Sequence, residues 1–235
     1  MTVSKVLKQL KKEGTESYKR ILMNHGAKEP VLGVKIADMK KMVKPIKGDY
    51  PLALELYDTG VYDAQYLAGL ITDDSKMTKR DLRRWLSKAN CSSISSTTVS
   101  WVAAESRYGS EMAATWIEAK KETSAQAGWA TMTSLVSIKD DADLDLTELK
   151  RLLQRVKKTI HKERNLVRYS MNGFLIAVGC FVKPLTPTAS EVAKAIGTVT
   201  VDMGNTACEV PSALGYIQKV KQRGTLGKKR KAARC

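Results

Sequence analysis

The chain has 235 residues, 40 Lys and Arg against 24 Asp and Glu, a formal charge of +16 and 43% hydrophobic residues. That apolar content builds a core and excludes global disorder, while the longest uncharged apolar run, 173–182, covers half of the roughly 20 residues a membrane span needs. With His25 and His161 as the only histidines and cysteines scattered at 91, 180, 208 and 235, there is little material for a histidine triad, a zinc site or a disulfide framework, and reduced thiols are expected.

The start, MTVSKVLKQLKK, lacks the apolar stretch and cleavage site of a secretory signal and reads as a mature cytosolic start. Val3, Val6, Leu7 and Leu10 recur at the spacing of one helix face, and Ile36, Met39, Val43 and Ile46 make the next stripe, with lysines on the other faces. Residues 1–48 carry 12 basic and 4 acidic side chains, a net of +8. Asp49 ahead of Pro51 marks a helix start, and Thr78 with Asp81 predicts a capping box before Leu82, Trp85 and Leu86. Further stripes run through Met112 to Ile117, Met132 to Val136, Leu149 to Ile160 and Val167 to Val178, which makes about twelve helices with short connections.

Helix pairs recur at roughly 35 to 40 residues, the period of HEAT-like repeats, although no strict sequence repeat is present. The expected fold class is all-α: an α-α superhelix or solenoid of HEAT-like helical repeats, with a globular bundle as the alternative. Residues 198–202 and 206–210 alternate polar and apolar around Gly204-Asn205, which predicts one small β-hairpin near residues 198–210, or else an irregular loop. The expected organisation is one helical repeat domain, 1–226, with the hairpin inserted at 198–210 and a flexible basic tail at 227–235.

Two further basic blocks complete the charge pattern. Residues 150–168 hold 8 basic side chains against Glu163 alone, and residues 211–235 hold 8 basic and no acidic ones. Segregation of this kind suits a polyanion, because each neutralised phosphate releases counterions; the bland reading is a set of well-solvated helices. If 150–168 is one helix, Arg151, Arg155, Lys158 and Lys162 step by 4, 3 and 4 into a row about 16 Å long, with Arg168 beyond it. Lys228, Lys229, Arg230 and Lys231 form a second candidate. Trp85 and Trp116 fall in phase with apolar stripes, whereas Trp101 and Trp129 sit among small residues and are either core or base-stacking indoles. Trp101 and Glu105 share a helical face, so a carboxylate beside an aromatic ring is a candidate catalytic pair for stabilising a cationic sugar; a surface ion pair with Arg107 is the plainer alternative. No Walker motif, GxGxxG, HExxH or zinc-finger spacing occurs, so neither cofactor nor metal is expected.

Gly33-Val34-Lys35-Ile36-Ala37-Asp38-Met39-Lys40-Lys41, Leu56-Tyr57-Asp58 and Tyr62-Asp63-Ala64-Gln65-Tyr66-Leu67-Ala68 resemble motifs of the AlkD-type superfamily of DNA alkylation repair glycosylases, and the resemblance extends more loosely to about residue 180. It implies a concave basic face for duplex DNA and, in active members, an Asp flanked by tryptophans and an arginine that assists loss of alkylpurines. In Cys91-Ser92-Ser93-Ile94-Ser95-Ser96 the Asp slot falls at Ser95, the arginine slot at Trp129, and a tryptophan slot at Gly173 or Phe174. The part from Gly197 onward is similar to a divergent subfamily with an inserted hairpin, associated with distorted or branched DNA and little or no glycosylase activity.

The leading expectation is therefore a DNA-binding member of this superfamily, monomeric, without membrane or metal, and cytoplasmic or nucleoid-associated. An active 3- or 7-alkylpurine DNA glycosylase and a protein-interaction scaffold are the alternatives.

Overall fold

The computed structural model describes residues 1–234 and divides into two compact units: 1–108 with 204–206 and Arg234, and 109–203 with 207–233. Every regular element among the described residues is helical. No single helix among them is long and apolar enough to cross a membrane.

The first unit contains α1 (Val3–Glu13), α2 (Glu16–Asn24), α3 (Ile36–Val43), α4 (Tyr50–Asp58), α5 (Tyr62–Ile71), α6 (Lys79–Lys88), α7 (Ser92–Ile94) and α8 (Ser100–Glu105). Its helices begin where the sequence supplies an oxygen for the unpaired N–H groups of a first turn. Thr2, Thr15, Asp49 and Thr78 all accept from the backbone in this way, and Thr78 with Asp81 forms the expected capping box. Every residue of α5 is buried, as befits a central helix packed on α3 and α4.

The motifs that carry the resemblance build this core. Asp63, fully buried, accepts from the N–H groups of Leu32 at 2.6 Å and Val34 at 2.8 Å and so fixes the loop before α3. Gly33 lies between them at φ +75°, where a Cβ would stand 2.4 Å from the Thr15 carbonyl oxygen, so only glycine fits. The Tyr57 ring stacks on Trp85 at 4.1 Å and its hydroxyl donates to the Trp85 carbonyl. Gln65 donates to the carbonyls of Tyr57 and Lys88 and accepts from the Asn90 N–H, which ties α4, α5 and the end of α6 together.

The second unit contains α9 (Gly109–Ile117), α10 (Glu122–Ile138), α11 (Leu146–Thr159), α12 (Asn165–Phe181), α13 (Thr186–Ile196) and α14 (Ala213–Gln222). α10 packs on α9 and α12, and α12 in turn on α13 and α14. The expected stripe, Leu149, Leu153, Val156 and Ile160, is buried, the first three on α11 beside Leu152, and Ile160 in the turn after it, each contributing about 1.5–3 kcal/mol. Trp85 and Trp116 are core residues, as their phase requires. Cys91 and Cys180 are buried thiols and Cys208 is an exposed one.

Three expectations change. The segment 150–168 is two helices, because α11 ends at Thr159, a 3-10 turn covers Ile160–Lys162, and α12 starts at Asn165. The break is held in place: Arg164 donates to the Lys120 carbonyl, and Glu122 accepts the Leu166 N–H at 2.8 Å at the start of α12. No β-hairpin forms at 198–210. The alternation there buries Val199 and Val201, while side chains of α12 take the backbone groups that a ladder would use. Asn165 bonds both the N–H and the carbonyl of Asp202, Arg168 donates to Thr200, and Asn172 donates to Pro211.

The third change concerns the tail, 227–235, expected to be flexible. It lies against the second unit over 227–233, and Cys235 falls outside the described residues. Docking uses helix ends in place of apolar side chains. The Gly227 N–H donates to Cys180 in the last turn of α12, and at the end of α10 the Arg230 N–H and Lys229 Nζ donate to Ser137 and Val136. Last-turn carbonyls lack intrahelical partners and carry negative partial charge, so a cationic tail is a favourable cap. Ala233 is fully buried, and Arg234, assigned to the first unit, pairs with Asp74.

Candidate nucleic-acid interface

The slot at Ser95 lies in a five-residue π-helical turn, Ser95–Val99, between α7 and α8. Its hydroxyls bond to their own turn: Ser95 Oγ donates to the Cys91 carbonyl, Ser96 to Ser92 and Thr97 to Ser93. Such back-bonding loosens the helical ladder and satisfies the hydroxyls locally. Ser95 is 2% exposed, and the run CSSISS contains no carboxylate to stabilise a sugar cation.

Of the candidate catalytic pair, Trp101 is buried with its ring edge-on to Tyr66 at 5.7 Å, and Glu105 is half-buried at the end of α8. Burial pushes the Asp74 carboxyl up to about 6, with Arg234 opposing and the negative charge of Glu105 adding to the rise. The Arg107 guanidinium lies over the Tyr108 ring at 4.8 Å. Trp129 is 1% exposed and tilts against Phe174 at 5.2 Å, so its indole is a core group.

At the arginine slot, the buried Trp129, the structure shows one guanidinium packed on the ring. Arg155 of α11 lies 5.7 Å over the Trp129 ring and is also paired with Glu118. The other cations separate into two classes. Arg151 makes a bidentate bond to Glu148 at 2.7 Å, Arg168 donates to Thr200 and Glu163 carbonyls, and Lys229 pairs with Asp141 at 2.8 Å. Lys157, Lys158 and Lys162 project into solvent from α11 and the turn after it, and Lys228, Arg230 and Lys231 are exposed on the docked tail. The row expected from Arg151 to Lys162 is thus interrupted by internal pairing and by the end of α11.

In the first unit Lys5, Lys8, Lys11 and Lys12, with Glu13, line one shallow concavity on α1, a group of lysines absent from the expected site residues. Their signal was present in the net +8 of residues 1–48 and in their spacing of 3, 3 and 1. Equally unexpected is the polar row of Asn165, Arg168 and Asn172 that holds the 198–211 segment; spacings of 3 and 4 on α12 are the signal that reveals it.

The chain as a whole matches known proteins. The family described as DNA alkylation repair enzyme matches residues 4–185. An uncharacterised protein of Listeria monocytogenes is 34% identical over 87% of this chain and 90% of its own length, and one of Listeria innocua is 33% identical over the same shares. One solved structure superposes with a TM-score of 0.93 at 36% identity over 100% of both chains, and it represents a new family of proteins related to the HEAT-like repeat DNA glycosylases with affinity for branched DNA structures. The all-helical fold is accordingly of the HEAT-like repeat kind, and the chain belongs to the DNA alkylation repair enzyme family.

Proposed function

We propose that this protein binds duplex, distorted or branched DNA through its exposed cations, and that base excision by it is weak or absent. Likeness over the whole chain to a protein with affinity for branched DNA supports the first half. Ser95 carries the second half: the slot for the assisting carboxylate is a buried hydroxyl bonded to its own helical turn. Lys157, Lys158, Lys162, Lys228 and Lys231 are the side chains we assign to phosphates, since each is exposed.

A gel-shift comparison of a branched junction with linear duplex tests the binding: preference for the junction is expected, and equal weak binding to both overturns it. Affinity should fall steeply with salt, because each neutralised phosphate contributes a slope of about 0.9 in log K against log salt. An alkylpurine-release assay tests the missing excision. The alternative, an active glycosylase, is favoured by one observation, the half-buried Glu105 following Trp101 on α8. Release that Glu105→Gln abolishes would establish that alternative; no release at high enzyme concentration removes it.

A further inference from the structure

The second unit contains a cavity of about 380 Å³ between α10, α12, α14 and the start of the docked tail. Ile176 and Phe181 of α12 give it apolar walls, while Tyr216, 50% exposed, and the exposed Lys228 stand at its mouth. Burial pushes the Cys180 thiol up to about 11, so that wall is uncharged at neutral pH. None of the lining side chains is acidic.

Gly173 adds no side chain to the cavity lining. A Cβ built there meets nothing within 4 Å, although Gly173 sits inside α12, where glycine costs about 1 kcal/mol relative to alanine. Space is thus retained at the expense of helix stability. The segment that closes the cavity is cationic on its surface, since Lys219, Lys221, Arg223, Lys228 and Lys231 are exposed and residues 211–235 contain no acidic side chain. An apolar peptide or lipid tail would gain nothing from that charge. A nucleotide fits both parts, offering a flat base to the walls and the exposed ring, and a phosphate to the lysine.

We propose that this cavity receives one unpaired base of bound DNA, stacked against Tyr216, with its phosphate held by Lys228. The inference rests on the DNA-binding reading and identifies what a branched or distorted duplex offers that a paired one does not: a base already out of the stack, which enters without the cost of unpairing.

The test irradiates the full chain with a three-way junction and with a linear duplex, each carrying one unpaired 4-thiothymidine, and maps the crosslinked peptides. The expected crosslink falls on the peptide holding Tyr216 with both DNAs, and Gly173→Leu, which fills the cavity while favouring the helix, removes it. Affinity for both DNAs should drop about tenfold in Gly173→Leu and in Tyr216→Ala, with fully paired linear duplex unaffected. Crosslinks confined to other segments, or affinities within about twofold of the parent in both variants, overturn the cavity's role. Equal binding of the junction and of paired duplex by the parent protein overturns the preference for branched DNA instead, and the crosslink on the linear duplex then decides the cavity by itself.

Discussion

The α3–α6 region of the first unit and the α11–α12 region of the second both depend on charged side chains, and they use them in opposite ways. Asp63 is fully buried and accepts from two backbone N–H groups, so it fixes a loop. The residues 150–168 carry eight cations, yet Arg151, Arg155, Arg164 and Arg168 are engaged by partners within the second unit, while Lys157, Lys158 and Lys162 face water. Arginine here braces the fold and lysine supplies the solvated charge. That division follows from chemistry: the planar guanidinium satisfies several fixed acceptors at once, whereas the ammonium is a mobile, strongly hydrated point charge. Counting cations therefore overstates how many are offered to DNA.

The comparison breaks most severely at Asp63. Asp63→Ala should lower stability by about 3–5 kcal/mol, because it strands the buried N–H groups of Leu32 and Val34, while the folded fraction keeps its DNA affinity. Urea denaturation with a parallel gel shift checks both halves. Loss of affinity in protein that remains folded would make the motif part of the interface.

Next in size is a pH effect in the first unit. Burial raises the Asp74 carboxyl from 3.8 to about 6, so between these values the folded protein holds a proton that the unfolded chain has released. Its contribution to stability is therefore full below about pH 4 and is lost as pH rises to about 6, a fall on the order of 3 kcal/mol. Asp74→Asn should flatten that part of the stability curve measured by denaturation from pH 4 to 7. A curve unchanged by the substitution would assign the slope to another group.

In the second unit the effect is on binding alone. Lys158→Gln with Lys162→Gln should weaken DNA about tenfold, reduce the salt slope by about 1.8 and leave the denaturation midpoint in place. Arg151→Gln should change the slope by much less, since Glu148 already neutralises that guanidinium. Equal effects from both substitutions would remove the distinction between bracing arginines and solvated lysines.

Much of the first unit was legible because its signals are local. Thr78 and Asp81 sit three residues apart at a helix start, Asp49 precedes Pro51, and the phases of Leu82, Trp85 and Leu86 all point inward. What failed depended on partners distant in sequence. The pattern in 198–202 correctly separates the buried Val199 and Val201 from their exposed neighbours, but alternation cannot say whether the backbone meets another strand or the side chains of Asn165 and Arg168. The stripe from Leu149 to Ile160 is likewise real, and nothing in its period reveals that α11 ends at Thr159 or that Arg164, ahead of α12, bonds the carbonyls between α9 and α10. Ser95 shows the same limit at the candidate site: the missing carboxylate is plain in the sequence, whereas the π-helical turn that consumes the hydroxyls is not.

The tail offers the finest form of the comparison, because adjacent lysines fall on opposite sides of it. Lys229 is 14% exposed, pairs with Asp141 and donates to the Val136 carbonyl at the end of α10, whereas Lys228 is exposed beside it. Lys229→Met should cost about 1 kcal/mol of stability, the worth of one helix-end cation with a half-exposed partner, and leave the salt slope of DNA binding nearly unchanged. Lys228→Gln should do the reverse, lowering the slope by about 0.9 with no change in the unfolding midpoint. Backbone carbonyls at a helix end attract a cation as a phosphate does, so the first lysine to find one is lost to DNA. If Lys229→Met instead lowers the salt slope while the midpoint stays fixed, the backbone bonds at Gly227 and Arg230 hold the tail without that lysine, and Lys229 counts toward the interface with Lys228 and Lys231.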